Sequence, residues 1–195
     1  MSGHGVIGVL NADGSYRGRY VHSCDPGTAE ADLWAILTRT CRGDLAELLR
    51  VLTEDHYGWS YLRPSQPDVS RVTPPAAFPR DAPHDSVEFV AYELSPEGSF
   101  GDGRFAGVPG FGVAYTTVED QSHPERWETG RIGERTDTSC DHGWLFTSTE
   151  ARSAELVLVR LGRTAVELGR VAVRELGSSG RDFWEGLAFG RLSSP

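Results

Sequence analysis

The chain opens with two short stretches of strand-like residues on either side of a turn. VIGVL (6–10) and YRGRYVH (16–22) flank NADGS, in which Asp13-Gly14 is a strong tight-turn dipeptide. Side chains alternate along a strand, so one face of the second stretch carries Tyr16, Gly18, Tyr20 and His22. The pattern predicts an N-terminal β-hairpin.

Two helical patterns follow the hairpin. Thr28 is placed as the N-cap of the first, whose apolar residues keep helical spacing at Leu33, Trp34, Ile36, Leu37 and Cys41. Asp44 and Glu47 resemble a capping box at the start of the second, whose apolar stripe is Leu45, Leu48, Leu49 and Leu52. The sequence therefore predicts an αα-hairpin in which Cys41 is a buried structural thiol.

Strand-like stretches and two long polar segments make up the rest of the chain. We expect strands at 56–62, 87–94, 111–119, 144–149, 155–161 and 164–176. The last of these is long enough to bend, with a bulge at Gly169, and a short helix is expected at 181–189. The segments near 63–86 and 120–143 are expected to be long surface loops.

This order of elements predicts an α+β fold. Strands do not alternate regularly with helices, which argues against a doubly wound parallel sheet. We expect a mostly antiparallel sheet with the β-hairpin at its start, the αα-hairpin inserted early and the short helix at the C-terminal end. A chain of 195 residues, without a low-complexity linker, is expected to form a single domain over 1–195.

Charge narrows the classes of partner. The formal net charge is −9 and the isoelectric point is near 5.1, so we expect no direct binding to nucleic acid or to an anionic membrane surface. The excess of acidic residues instead favours solubility or the binding of a basic partner. Every basic residue is arginine, which excludes chemistry that needs a lysine, such as a Schiff base.

The cysteines and the N-terminal segment indicate a compartment. Cys24, Cys41 and Cys140 are an odd number of thiols, and residues 1–30 lack the apolar run of a signal peptide. No stretch approaches the length of about 18 apolar residues that a membrane span needs. We therefore expect a cytoplasmic protein with reduced thiols.

Two short motifs carry the candidate chemistry. His22 and Cys24 are separated by one residue, and so are Cys140 and His142. On a strand each pair would project to one side, so two neighbouring segments would offer a Cys₂His₂ zinc set. The one-residue gap is shorter than most zinc motifs use. The same residues also allow a second interpretation, in which a cysteine is a nucleophile and a nearby histidine its base.

The N-terminal motif GVIGVLNADGSYRGRYVHSCDPGTAEADLWAIL resembles the opening of small uncharacterised proteins of actinobacteria and their phages. The matching positions are Tyr20, Val21, His22, Asp25, Pro26 and Gly27. The closing DFWEGLAFG is similar to the Asp-Trp-Glu segment of the same proteins. The resemblance implies an intracellular α+β protein encoded on a mobile element. The resemblance implies no activity and no catalytic residues, and Cys24 has no counterpart in the motif of these proteins.

These observations favour a non-enzymatic binding or regulatory protein that contacts a protein partner or forms a homo-oligomer. No cofactor is expected under that interpretation. The alternative is a zinc- or thiol-dependent hydrolase or transferase that uses His22, Cys24, Cys140 and His142, with zinc as its cofactor. A third hypothesis is a structural component of a larger assembly.

Overall fold

The computed structural model describes residues 3–64, 69, 71–83, 86–95, 105–115, 127–177 and 180–188. Its core is the predicted hairpin of β1 (Gly5–Leu10) and β2 (Ser15–Ser23). The turn uses Gly14 at φ +83°, a left-handed conformation that glycine adopts without a steric cost. The strands pair antiparallel from Gly5 opposite Val21 to Leu10 opposite Tyr16.

The hairpin lies at the centre of a mixed, mostly antiparallel sheet. The other strands are β3 (Trp59–Leu62), β4 (Phe105–Val108), β5 (Gly112–Tyr115), β6 (Glu128–Arg131), β7 (His142–Phe146), β8 (Glu155–Arg160) and β9 (Val166–Ala172). The spatial order is β4-β5-β3-β2-β1-β7-β8-β9, with β6 also paired to β2. Only β1 with β7 and β2 with β3 run parallel among the described pairs. The α+β prediction is confirmed.

One face of this sheet is covered by the predicted αα-hairpin. Its first helix is α1 (Pro26–Ala35), which continues as a π-helical turn over Ile36–Thr40. Its second is α2 (Leu45–Leu49), which continues in the same way over Arg50–Glu54. The apolar positions of both helices are buried except for Trp34, which is partly buried, and Cys41 is buried with them, as predicted.

The caps of the two helices agree only in part with the prediction. At α2 the Asp44 side chain accepts a hydrogen bond from the Glu47 N–H at 3.0 Å, as expected. At α1 the N-cap is Asp25 and not Thr28, because the Asp25 carboxylate accepts the Gly27 N–H at 2.7 Å and Pro26 occupies the first helical position.

The stretch predicted as a strand at 87–94 is a helix, α3 (Val87–Glu93). The alternation of Val87, Phe89 and Ala91 is typical of a strand. In the structure Phe89, Val90 and Ala91 are all buried, which is not the alternation of a strand and fits one side of a helix. Ser86 begins the helix by accepting the Phe89 N–H on its hydroxyl.

One of the two segments predicted to be long loops contains strands. Within 120–143 the chain forms β6 and the start of β7. The loop near 63–86 lies partly outside the described residues, as do 120–126 and the end of the strand predicted at 111–119. β4 lies in a glycine-rich stretch for which no strand was predicted.

The C-terminal elements follow the prediction. β9 pairs with β8 with a register shift at Leu168, beside the glycine where a bulge was expected. A 3-10 turn (Val173–Glu175) leads toward α4 (Gly180–Ala188), which packs against α1. Trp184 of α4 lies edge-on to Trp144 of β7 at 5.0 Å between ring centroids, and both are fully buried.

The sheet separates two apolar clusters. The cluster under the helices contains Ile7, Val21, Trp144 and Phe146 together with the helical residues. The opposite cluster contains Val6, Tyr20, Leu145, Val157 and Val159. Alternation along each strand explains this division, because neighbouring residues point to opposite faces. Among the described residues no helix is long and apolar enough to cross a membrane.

Candidate functional site

The two Cys/His pairs meet near Gly5, at one end of the central strands. A Cβ on Gly5 would lie 2.6 Å from Cys24 Sγ, and Cys140 Sγ donates to the Gly5 carbonyl at 3.5 Å. His142 is the partner of Gly5 in the β1–β7 pairing. Two segments that are far apart in sequence therefore come together, as the zinc hypothesis requires.

Each pair is nevertheless divided between the two faces of the sheet. Cys24 belongs to the cluster under the helices, whereas His22 contacts Tyr20 of the opposite cluster. Cys140 belongs to that opposite cluster, whereas His142 alternates with Gly143 onto the face of Trp144. The two residues of each pair were expected on one face because side chains alternate along a strand. The cysteines lie outside the strands, since β2 ends at Ser23 and β7 begins at His142, so the alternation does not apply to them.

Among the residues that the structure describes, no group of three or more His, Cys, Asp or Glu side chains is arranged to hold a metal ion. The four predicted residues are instead divided between the two faces, with Cys24 and His142 on the helix side and His22 and Cys140 on the other. The Cys₂His₂ zinc site stays a prediction.

The thiols lie in surroundings that suppress ionisation. Burial raises the pKa of Cys24 to about 12, and the neighbouring Cys140 and Asp32 add to the effect. Burial also raises the pKa of Cys140 to about 12 and that of Cys41 to about 11. The nucleophilic form of cysteine is the thiolate, which is scarce at neutral pH when the pKa is this high.

We expect the folded protein to resist thiol reagents. With a pKa near 12, a thiol is ionised to roughly one part in ten thousand at pH 8. Ellman's reagent should therefore release almost no colour from the native protein over several minutes at pH 8. The same sample in guanidinium chloride should give three thiols per chain, the number in the sequence. Rapid labelling of one thiol in the native protein would instead support the nucleophile interpretation.

A separate cluster of ring side chains lies on the face opposite the helices. The Tyr20 hydroxyl is 3.0 Å from His4 Nδ1 and 2.9 Å from His22 Nδ1. The two imidazole centroids are 4.7 Å apart. We call His4, Tyr20 and His22 the histidine–tyrosine cluster. Since a hydroxyl has one proton, neutral imidazoles satisfy it when one Nδ1–H donates to the oxygen and the other Nδ1 accepts.

The hairpin itself builds this cluster. The β1–β2 register pairs residues whose numbers sum to 26, such as Val6 with Tyr20, and its continuation by one step sets His4 opposite His22. Tyr20 shares a face with His22 because they are two residues apart on β2. The sequence pattern singled out His22 but not His4. The register of the predicted hairpin was the signal that could have paired them.

Asp141 fixes the position of His4. The His4 main-chain N–H donates to the Asp141 carboxylate at 3.2 Å, and the Asp141 N–H donates to the His4 carbonyl at 2.8 Å. Burial raises the pKa of Tyr20, and nearby Tyr115, Cys140, Glu128 and Asp141 raise it further. Partial desolvation of the ring, in a residue that is exposed overall, is the first cause that lowers the pKa of His22, and the proximity of His4 is the second. The cluster therefore favours a neutral phenol and a neutral His22 imidazole at neutral pH.

A third feature is an exposed aromatic side chain. Phe78 is 50% exposed, more than the other large apolar side chains of the described residues, Tyr57 and Val166. Its ring packs edge-on against Phe89 and Tyr92 of α3, with centroids 5.3 and 5.8 Å away. We call Phe78 and the proline-containing segment 71–83 that carries it the Phe78 surface.

α3 is in turn fixed to the sheet. The Tyr61 hydroxyl donates to the Glu93 carboxylate at 2.6 Å, and Arg63 lies 3.4 Å from the same carboxylate. Leu94 covers Gly107 of β4, where a Cβ would approach the leucine side chain to 2.2 Å. The exposed ring of Phe78 thus rests on a helix that is anchored to β3 and β4.

Comparison with protein-family models, with curated proteins and with solved structures gives no match for this chain. The fold places it in the α+β class, with a mixed sheet covered on one face by helices.

Proposed function

We propose that this protein is a non-enzymatic binding or regulatory protein that contacts a protein partner through the Phe78 surface. The observation that carries the proposal is a half-exposed phenylalanine whose ring is held by Phe89 and Tyr92. A large apolar ring that stays in water contributes little to folding, whereas burying it against a partner is favourable. Aromatic anchors of this kind carry much of the binding energy in protein interfaces.

Preorganisation supports the same conclusion. Each edge-on ring contact contributes about 0.5–1.5 kcal/mol, so the two contacts restrict Phe78 before a partner arrives. A ring that is already ordered loses little conformational entropy on binding. The prolines of 71–83 restrict the segment on both sides of the ring in the same way.

Charge gives the class of partner. The chain has a formal net charge of −9, which attracts a partner with a basic surface and repels anionic ones. We therefore expect a basic protein with an apolar pocket for Phe78. An origin on a phage or another mobile element, which the N-terminal resemblance implies, is compatible with a protein that acts on a host protein.

We expect Phe78→Ala to weaken partner binding by at least tenfold, because the substitution removes the anchor and leaves the backbone in place. The partner should first be captured with the wild-type chain, identified by mass spectrometry and purified. Its affinity for wild type, Phe78→Ala and Tyr57→Ala should then be measured by calorimetry at two salt concentrations. Tyr57 is the matched control, an exposed aromatic residue outside the Phe78 surface.

The proposal requires three results together. Tyr57→Ala should bind like wild type, Phe78→Ala should bind weakly, and higher salt should weaken binding by wild type. Equal affinity of Phe78→Ala and wild type would exclude the Phe78 surface as the contact. Light scattering of the purified chain tests whether a second copy of the chain binds at the Phe78 surface instead. If wild type self-associates and Phe78→Ala does not, the surface is a contact between two copies.

A further inference from the structure

We propose that His4 and His22 form a binding site for a divalent transition-metal ion of the nickel and copper type. The site differs from the predicted zinc set, because it keeps His22 and replaces the two cysteines and His142 by a histidine across the hairpin. It is also independent of the Phe78 surface.

The ring nitrogens of His4 and His22 converge on one point. Nδ1 of His4 and Nδ1 of His22 are both within 3.0 Å of one oxygen, so the two imidazoles are directed at a single point. Histidines directly opposite each other on neighbouring antiparallel strands have Cβ atoms about 4.5–5.5 Å apart, which allows both rings to reach one ion. In the protein as described, the Tyr20 hydroxyl occupies the point of convergence.

The chemistry of the donor atoms gives the class of ion. Imidazole nitrogen is a ligand for nickel, copper and zinc, and the affinity of a given set of nitrogens rises from nickel to copper and falls again at zinc. Two imidazoles leave the remaining positions to water, which suits the square-planar and octahedral geometries of copper and nickel, whereas a zinc site is usually completed by further protein ligands.

A negative charge lies beside the two histidines. The Asp141 carboxylate accepts the His4 main-chain N–H at 3.2 Å, so a cation bound at the imidazoles would be close to this charge. Asp141 fixes the His4 backbone from the other side, which limits how far that ligand can move.

Binding would exchange protons for the ion. The Nδ1–H that donates to the Tyr20 oxygen moves to Nε2, or is released if Nε2 is already protonated, because Nδ1 needs its lone pair for the metal. The second Nδ1, which accepts from the hydroxyl, turns its lone pair to the ion. The Tyr20 hydroxyl keeps its proton and either moves aside or offers its oxygen as a weak neutral ligand, and water completes the coordination.

The test is calorimetric titration of the untagged, reduced chain with Ni²⁺ at pH 7.5 in a non-coordinating buffer. We expect one ion per chain for wild type, and at least a tenfold loss of affinity in both His4→Ala and His22→Ala. His56→Ala is the matched control and should bind like wild type, because His56 packs on Trp59 away from the cluster. If an alanine variant does not fold, the corresponding glutamine variant replaces it.

The requirement for both histidines makes the proposal falsifiable. Ni²⁺ binding that persists undiminished in His22→Ala would place the ion at the N-terminal segment alone and overturn the two-histidine site. The absence of binding by the folded wild-type chain would overturn it as well. Neither result depends on the Phe78 surface, so failure here and failure of the proposed function are distinguishable.

Discussion

Gly8→Ala is expected to destabilise the protein by about 3 kcal/mol or more, an overpacking effect at the centre of the sheet. A Cβ on Gly8 would lie 2.1 Å from the Arg17 carbonyl oxygen and 2.4 Å from the Gly18 Cα. These neighbours are backbone atoms of β2, so they cannot rotate away as a side chain would. The clash therefore has to move one strand of the central hairpin.

The reason for the close approach is the pairing of two glycines. Gly8 faces Gly18 across the β1–β2 ladder, and a Cβ on Gly18 would lie 2.5 Å from the Ile7 carbonyl oxygen. Glycine allows backbones to come closer than any other residue does. Because β1 also pairs with β7, a displacement of β1 disturbs both sides of the sheet.

Thermal and urea unfolding followed by circular dichroism measure the effect. For a chain of this length, about 3 kcal/mol corresponds to a drop of roughly 6–12 °C in Tm. The matched control is Gly162→Ala, since a Cβ there meets no atom within 4 Å in the part of the chain that the structure describes. A Gly8→Ala protein whose stability lies within about 0.5 kcal/mol of the control would contradict the described β1–β2 register.

The predictions that succeeded share a local cause. The hairpin follows from a two-residue turn signal, and α2 follows from Asp44 and the leucine stripe behind it. β8 follows from an unbroken apolar run, as expected for a strand that is buried on both faces. In each case the residues that specify the element lie within the element or beside it.

The predictions that failed depend largely on distant contacts. The strand pattern at Val87 and Phe89 competes with a helical one; Ser86 caps the helix locally, and the distant hydrogen bond from Tyr61 to Glu93 attaches it to the sheet. β6 contains only four residues, none of them aliphatic, and it exists because it pairs with the first half of β2. Sequence periodicity carries little information on such pairings.

The candidate site illustrates the same limit. Its residues could be named from the sequence in part, because His22 falls on a predicted strand. Its geometry could not, because the sorting of Cys24 and Cys140 onto opposite faces depends on where β2 ends and where β7 begins. Strand ends are the least certain part of a sequence-based prediction, and a shift of one residue reverses the face. The Phe78 surface was missed because α3 was expected to be a strand.

Acid should destabilise the protein through His142, and this is the second large effect that we expect. His142 is only 9% exposed, and neither of its ring nitrogens has a hydrogen-bond partner among the described residues. Burial is the largest cause and lowers the pKa of His142; the nearby Asp141 carboxylate partly opposes the shift, and Arg160 lowers the pKa slightly further. The folded state therefore holds this imidazole in its neutral form.

The sign of the effect follows from linkage. The pKa in the folded state is below the unfolded value of about 6.5, so the unfolded chain binds the proton more readily. The contribution of neutral His142 to stability is complete above about pH 6.5 and is lost as the pH falls toward the folded pKa. Over that window one such histidine changes the free energy of unfolding by at most about 1.4 kcal/mol per pH unit.

His142→Phe isolates this contribution. Phenylalanine fills a similar volume beside Trp144 but cannot take up a proton, so the variant should gain stability relative to wild type as the pH falls. Urea unfolding at pH 8 and pH 5 should show a relative gain of up to about 2 kcal/mol at the lower pH. His22→Phe is the comparison, because the exposed imidazole of His22 is better solvated in its charged form and should give a smaller change. Parallel pH profiles of His142→Phe and wild type would mean that the folded protein accommodates a charged His142, contrary to its described burial.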